Sequence, residues 1–168
     1  MKCLNCGKVT GNYLCGDCQT PQILDKIFSE IRFFTPESCT NSNLLEYASG
    51  LSERYAERAI IPDILSLFDN EVTDFYYCQY YKMCKDSRLE EMATTYLNTH
   101  SITEIRTQNV LYDLIESYIP NDFVKPMKWC NIISETENLC CELYAVAAKY
   151  YAMIGEYDAA DAVTEKAL

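Results

Sequence analysis

The sequence lacks most of the residues and motifs on which catalysis depends. Among its 168 residues there is one histidine, His100, and no nucleophile or acid motif surrounds it. The HExxH, GxSxG, phosphate-loop and dinucleotide-binding glycine patterns are all missing. Neighbouring carboxylates such as Glu90 with Glu91, or Asp158 with Asp161, are typical of solvated helix faces. We therefore predict that the chain is not an enzyme.

Long apolar runs are also missing. Apolar residues make up 49% of the composition, but they occur in short clusters. None approaches the roughly 20 residues that cross a bilayer. Residues 1–7 do not contain the apolar stretch of a secretory signal peptide. We expect a cytoplasmic protein with no membrane-spanning segment.

Basic residues are scarce. The 14 Lys and Arg are outnumbered by 25 Asp and Glu, which gives a net charge of -11. Residues 1–20 carry Lys2 and Lys8 against Asp17, a net +1, so the remaining residues carry -12. A body with this charge repels a phosphate backbone. Contact with DNA or RNA is therefore disfavoured outside residues 1–20 or a local patch.

Cysteine, in contrast, is abundant. The chain has ten cysteines, and four of them form two Cys-x-x-Cys pairs, Cys3 with Cys6 and Cys15 with Cys18. Disulfide frameworks are typical of small secreted domains, whereas paired spacing without a secretion signal favours a metal. Four thiolates complete the tetrahedral shell of a zinc ion and leave no position open for water. We predict one structural Zn2+; a mononuclear iron centre and a redox-active dithiol pair are the alternatives.

The other cysteines lack this spacing. Free cysteine is a common core residue, and these six mostly fall within predicted helices: Cys39, Cys78, Cys84, Cys130, Cys140 and Cys141. The adjacent Cys140 and Cys141 are the best candidates for part of a second metal site, and core packing is the simpler interpretation.

The segment between the two pairs predicts a β-hairpin. Val9-Thr10 and Tyr13-Leu14 suit short strands, and Gly11-Asn12 suits the two-residue turn between them. Together with Cys6-Gly7-Lys8, the segment resembles the short zinc ribbons and knuckles at the ends of many bacterial proteins. The resemblance implies a bacterial-type zinc module, whose relatives bind nucleic acid, bind protein or cap a fold.

The rest of the chain predicts helices. Thr20 can cap the first helix, with Pro21 in its first turn and its end near Phe34. Apolar residues at helical spacing predict two further stretches, at 44–60 and 64–68. No strand pattern appears after residue 20.

Capping boxes mark later helix starts. Three serines have a glutamate three residues later, the spacing of this motif: Ser87, Ser101 and Ser134. Helices are predicted near 71–85, 87–99, 102–118, 134–153 and 156–168, with a linker at 120–126. The predicted fold is mainly α, with stacked helical hairpins in a right-handed array or an irregular bundle. Its predicted domains are a zinc ribbon at 1–20 and a helical domain at 21–168.

The helical part contains a repeated pattern. Tyr80-Tyr81-Lys82-Met83-Cys84 and Tyr150-Tyr151-Ala152-Met153-Ile154 lie 70 residues apart, close to twice the roughly 34-residue period of a tetratricopeptide repeat. Residues 144–168 resemble one such repeat, whereas the earlier copy is degenerate and Thr164 departs from the pattern. The matching positions are Tyr144, Ala148, Tyr151, Gly155, Tyr157, Ala160 and Ala167. The resemblance implies helical hairpins that bind a protein or peptide.

Tyrosine clusters suggest where a partner would bind. The five aromatic rings of segment 75–81 cannot all lie on one face of a helix. They either pack between helices or form an exposed partner surface. The candidate partner residues are Tyr76, Tyr77, Tyr80, Tyr81, Tyr150 and Tyr151. The last helix lacks the polar capping helix of a repeat array. We therefore also expect either self-association through that helix or a longer protein that begins with this chain.

These patterns predict a non-catalytic zinc-binding adaptor that uses its helices to bind a protein or peptide partner. One alternative is a nucleic-acid-associated regulator that contacts DNA or RNA through the zinc ribbon. Another is the N-terminal sensor or adaptor region of a larger defence or regulatory effector.

Overall fold

The computed structural model describes residues 2, 3, 5–32 and 60–168, apart from the side chains of residues 29–32, 60, 70–72, 83 and 84. Eight α-helices occupy most of these residues: α1 Pro21–Arg32, α2 Ile60–Leu65, α3 Asn70–Cys84, α4 Arg88–Thr99, α5 Ile105–Tyr118, α6 Lys125–Glu135, α7 Cys141–Met153 and α8 Tyr157–Lys166. The described residues contain no β-strand, so the prediction of a mainly α fold is confirmed. Nearly all of the stretch predicted at 44–60 lies outside the described residues, as do Phe34 and Cys39.

Within the described residues, no helix has the length and apolar character needed to cross a membrane. Contacts divide the structure into two compact units, residues 1–80 and 81–168. Helix α3 begins in the first unit and ends in the second. The domain boundary predicted at residue 20 stays a prediction.

In the first unit, α1 begins where the sequence predicts. The Ile23 amide donates a hydrogen bond to the Thr20 hydroxyl at 3.4 Å, and Pro21 is the first helical residue. Proline fits there because the first amides of a helix have no intrahelical acceptor.

An aromatic contact joins α1 to α3. The Phe28 and Tyr76 ring centroids are 4.8 Å apart, and the Tyr76 hydroxyl donates to the Asp25 carboxylate. The buried residues of α1 recur at helical spacing, and they are Leu24, Ile27 and Phe28. This one apolar face is what the first helix packs into the unit.

In the second unit, α5 and α7 run in the same direction. The Cys140 amide at the start of α7 donates to the side-chain oxygen of Gln108, near the start of α5, at 2.8 Å. Lys149 pairs with Glu116 at 3.4 Å, which joins the later turns of the same two helices. Tyr144, Tyr150 and other apolar side chains of α7 fill the core of this unit.

Helices α4, α6 and α8 run in the opposite direction. The Tyr150 hydroxyl of α7 donates to the Phe123 carbonyl just before α6, at 2.7 Å. Lys166 at the end of α8 donates to the Ser134 carbonyl near the end of α6, at 2.9 Å. Lys125 of α6 donates to Glu90 in the first turn of α4. One end of the unit therefore collects the starts of α4, α6 and α8 and the ends of α5 and α7.

The predicted linker at 120–126 is confirmed except for its last two residues, which belong to a helix, whereas the helix start predicted at Ser134 is wrong. Helix α6 covers Lys125–Glu135. The Asp122 carboxylate caps it by accepting hydrogen bonds from two backbone amides at 2.8 and 3.0 Å. Pro126 lies in the first turn, where it favours a helix start and does not break the helix.

Two other predicted caps differ in detail. Asp86 caps α4 in place of Ser87, because its carboxylate accepts a hydrogen bond from the Arg88 amide at 2.9 Å. Helix α5 starts at Ile105, since the hydroxyl of Ser101 accepts a hydrogen bond from an amide two residues later and forms a separate turn.

Helices α7 and α8 pack against each other as a hairpin. The turn contains Gly155 at a φ of 85°, a left-handed conformation that favours glycine. The turn lies where the sequence predicts it, and the tetratricopeptide resemblance stays a prediction.

Candidate metal centre

A tight turn holds the first cysteine pair. The Gly7 amide donates to the Cys3 carbonyl and the Cys3 amide donates to the Lys8 carbonyl, both at 2.9 Å. Gly7 has a φ of 72°, which explains why glycine follows the second cysteine. An isolated antiparallel bridge between Lys2 and Val9 closes the turn.

A second turn holds the other pair. Residues Gly16–Cys18 form a short 3-10 helix in which the Cys18 amide donates to the Cys15 carbonyl at 2.9 Å. The Gln19 side chain donates to the carbonyl of Leu14 at 3.3 Å, and the Leu14 side chain is fully buried. No strand forms among the described residues here, so the predicted hairpin at 9–14 is not confirmed.

The four sulfur atoms form one cluster. The Sγ atoms of Cys3, Cys6, Cys15 and Cys18 all lie within 4.8 Å of one another, and those of Cys6 and Cys15 are 3.7 Å apart. A tetrahedral zinc ion with Zn–S bonds of about 2.3 Å needs sulfur separations of about 3.8 Å. The four thiols are therefore compatible with one metal ion. In the part of the chain that the structure describes, no second group of three such ligands lies close together.

Burial differs among the four thiols. Cys3, Cys15 and Cys18 are buried, whereas Cys6 is exposed. All eight cysteines with described side chains are free thiols. Cys130 is one of them, and burial raises its pKa to about 12, as expected for a core thiol that serves packing.

Protonation of the thiols is uneven. Burial acts to raise the pKa of Cys3, but hydrogen bonds from the backbone of Cys15, Cys6 and Asn5 outweigh it and lower the pKa to about 6. A hydrogen bond from Asn5 acts to lower the pKa of Cys18, but burial and the neighbouring thiols raise it to about 12. At neutral pH the metal-free cluster therefore holds both thiolate and protonated thiol.

This difference predicts that metal affinity depends on pH. Binding must therefore release at least one thiol proton at every pH between about 6 and about 12. Zinc affinity should therefore fall at least about tenfold for each unit by which the pH is lowered, because the release of one proton on binding changes the affinity tenfold per pH unit. Competition with a chelator at several pH values measures the slope, and an affinity that did not change with pH would contradict the protonation pattern.

Two side-chain contacts connect the cysteine pairs. The Asn5 side-chain amide, between the first two cysteines, donates to the Cys18 sulfur at 3.3 Å. Lys8 forms an exposed ion pair with Asp17 at 3.3 Å. No motif in the sequence singles out Asn5, because only the fold brings its side chain to the second pair.

The predicted partner tyrosines lie mostly inside the chain. Five of the six are buried, and they are Tyr76, Tyr80, Tyr81, Tyr150 and Tyr151; Tyr77 is half-buried. The Tyr151 hydroxyl, for example, donates to the Asn131 side chain at 2.7 Å. Burial supports the packing interpretation for these five rings. Binding of a partner stays a prediction, and its contact surface would consist of residues other than these five.

Exposed apolar side chains gather at one end of the second unit instead. Five such residues flank the start of α6 and the junction of α7 and α8, and we call them the apolar end: Phe123, Val124, Met127, Met153 and Tyr157. Val124 and Tyr157 are 79% and 68% exposed. This is the end at which α6 and α8 start and α7 finishes. In the sequence these residues are spread over 35 positions, so no linear pattern reveals them.

A cavity of about 600 Å³ opens at the same end of this unit. It is lined by the end of α3, the start of α4 and the end of α5, including Lys85, Glu90 and Tyr118. Burial, together with the nearby Glu90 carboxylate, raises the pKa of Tyr118 to about 12. Glu90 also forms an ion pair with Lys125 at 2.7 Å, so a residue that lines the cavity contacts the start of α6.

Comparison of this chain with models of known protein families, with curated proteins and with solved structures finds no match.

Proposed function

We propose that this chain is a non-catalytic protein-interaction module, in which a structural zinc ion holds residues 1–20 in place and the apolar end binds a protein or peptide. The observation that carries the proposal is the grouping of exposed apolar side chains. Eight large apolar residues are exposed in the described part of the chain, and five of them belong to the apolar end. Grouped exposed apolar side chains are typical of binding surfaces.

The chemistry of the cysteine cluster supports a zinc ion that serves as an anchor. Four thiolates fill a tetrahedral shell and leave no position for substrate or water. Among the described residues of the short segment around them, Leu14 is the only other buried side chain. Metal binding would then supply much of the free energy that orders these residues.

Charge argues against nucleic acid as the partner. With neutral thiols, residues 1–20 have a net charge of +1. Four thiolates around one divalent ion add a charge of about -2, which makes the loaded segment negative. The remaining residues are strongly acidic, so the net charge of the loaded chain repels a phosphate backbone.

The apolar end can be tested with charged substitutions. Tagged wild-type chain and a Val124→Asp/Met127→Asp variant are used to recover binding proteins from the native host, and the affinity of each recovered protein is then measured. We expect the variant to bind at least about tenfold more weakly, because it places two charges in an apolar contact. Both side chains are exposed, so stability should change by only about 0.5 kcal/mol.

Ile105→Asp provides the matched control. Ile105 is 64% exposed, but it lies at the start of α5, at the opposite end of the unit. This variant should bind like the wild type. Recovery of the same proteins with the same affinities by all three chains would exclude the apolar end as the binding surface.

A further inference from the structure

The side chain of Asn5 occupies a particular position in the metal centre. It follows Cys3 by two residues and precedes Cys6, so its backbone belongs to the first cysteine turn. Its side-chain nitrogen nevertheless lies 3.3 Å from the sulfur of Cys18, in the second turn. A ligand of one pair is thus held by a residue that is placed by the other pair.

We infer that Asn5 is a positioning residue of this metal centre, which donates a hydrogen bond to the Cys18 thiolate and thereby sets the affinity and electronic character of the bound metal. The inference rests on the proposed metal site and adds a residue outside the four ligands. Cys18 is buried, so little water reaches its sulfur. A buried thiolate ligand needs hydrogen-bond donors, because four thiolates around one divalent ion leave excess negative charge.

The donors around the cluster are of two kinds. Cys3 receives hydrogen bonds from backbone amides, which no side-chain substitution removes. The contact to Cys18 comes from an amide side chain, so this donor alone depends on the identity of residue 5. Aspartate has the same shape as asparagine but has no N–H to donate and carries a negative charge. Asn5→Asp should therefore be more harmful than Asn5→Ala.

Lys8 shows how to separate this role from simple cross-linking. Its ion pair with Asp17 also joins the first turn to the second, but it is exposed and its nitrogen donates to a carboxylate. Lys8→Met removes this link and keeps the length of the side chain. A residue that only ties the two turns together should behave like Lys8.

The test compares the full-length wild type with Asn5→Asp, Asn5→Ala and Lys8→Met. Zinc affinity is measured by competition with a chromophoric chelator, and each chain is also loaded with Co2+ to record its sulfur-to-cobalt charge-transfer bands. We expect Asn5→Asp to lower zinc affinity about 10- to 100-fold and Asn5→Ala to lower it less. Both should shift the charge-transfer bands, since the donor acts on the sulfur itself. Lys8→Met should change affinity less than about fivefold and leave the bands in place.

The possible outcomes have distinct meanings. Equal affinity and unchanged bands in both Asn5 variants would overturn the inference and leave the metal site intact. An equal loss in Lys8→Met and Asn5→Ala, with no shift in the bands, would also overturn it, because cross-linking would explain the result. A wild-type chain that bound neither metal would remove the proposed metal site itself, and the inference with it.

Discussion

Replacing Cys3 by serine is expected to lower zinc affinity by more than about a hundredfold. Four-thiolate zinc sites bind with roughly 10–16 kcal/mol, so one thiolate accounts for roughly 3 kcal/mol of the total. Cys3 is fully buried, and its sulfur is one of the four that surround the candidate position. Residues 1–20 should lose protection from proteases along with the metal, because they have little core of their own.

Cys141→Ser is the matched control for this substitution. Cys141 is an exposed free thiol, and its sulfur donates to the Glu142 carboxylate at 3.3 Å, away from the cluster. Elemental analysis should find about one zinc per chain in the wild type and in Cys141→Ser. Full zinc content and unchanged chelator competition in Cys3→Ser would exclude the four-cysteine site.

Removal of the metal should have a local effect. Residues 1–20 become susceptible to proteolysis in a chelator, whereas the tyrosine-rich core of the second unit involves no cysteine of the cluster. The helical signal in circular dichroism should therefore largely remain. This contrast distinguishes an anchor from an ion on which the whole fold depends.

The cysteine cluster was the most predictable part of this molecule. Cysteine pairs with two intervening residues form tight turns whose amides point at sulfur, and this local geometry follows from spacing alone. The sequence also predicts that the two pairs come together in one cluster of four cysteines. The contact of Asn5 with Cys18 is not predictable in this way, because it depends on how the two turns pack together.

The helices were predictable to different degrees. Helices α3 and α4 lie close to their predicted bounds of 71–85 and 87–99, because their buried residues recur at helical spacing, whereas α7 begins at Cys141 and not at 134 as predicted. The start of α6 was missed because Pro126 suggests a break in a sequence, although proline also favours the first helical turn. Ser134 has the spacing of a capping box, but it lies where a helix ends.

The exposed apolar end was the least predictable feature. Tyrosine-rich segments are common both in helix packing and in interfaces. Whether a given tyrosine is buried or exposed depends on which helices lie beside it. In the second unit the neighbouring helices bury Tyr150 and Tyr151. The apolar end is instead formed by the starts of α6 and α8 and the end of α7. These meet only because the three helices alternate in direction, which the sequence does not show.

Tyr150→Ala is expected to lower the free energy of unfolding of the second unit by about 3–5 kcal/mol, the usual cost of removing a buried aromatic ring. Tyr150 is fully buried, and its hydroxyl donates to the Phe123 carbonyl at 2.7 Å. The ring therefore fills the core, and the hydroxyl fixes the segment that leads into α6. Since a domain is stable by about 5–15 kcal/mol in total, much of the variant should be unfolded at moderate urea concentrations.

Two further variants separate the roles of the ring and the hydroxyl. Tyr150→Phe keeps the ring and should cost about 1 kcal/mol, the net value of one hydrogen bond. Tyr157→Ala removes a ring that is 68% exposed, so it should change stability by only about 0.5 kcal/mol. Urea titration monitored by circular dichroism provides all three values. If Tyr150→Ala were no more costly than Tyr157→Ala, Tyr150 could not be a core residue and would again be a candidate for partner binding.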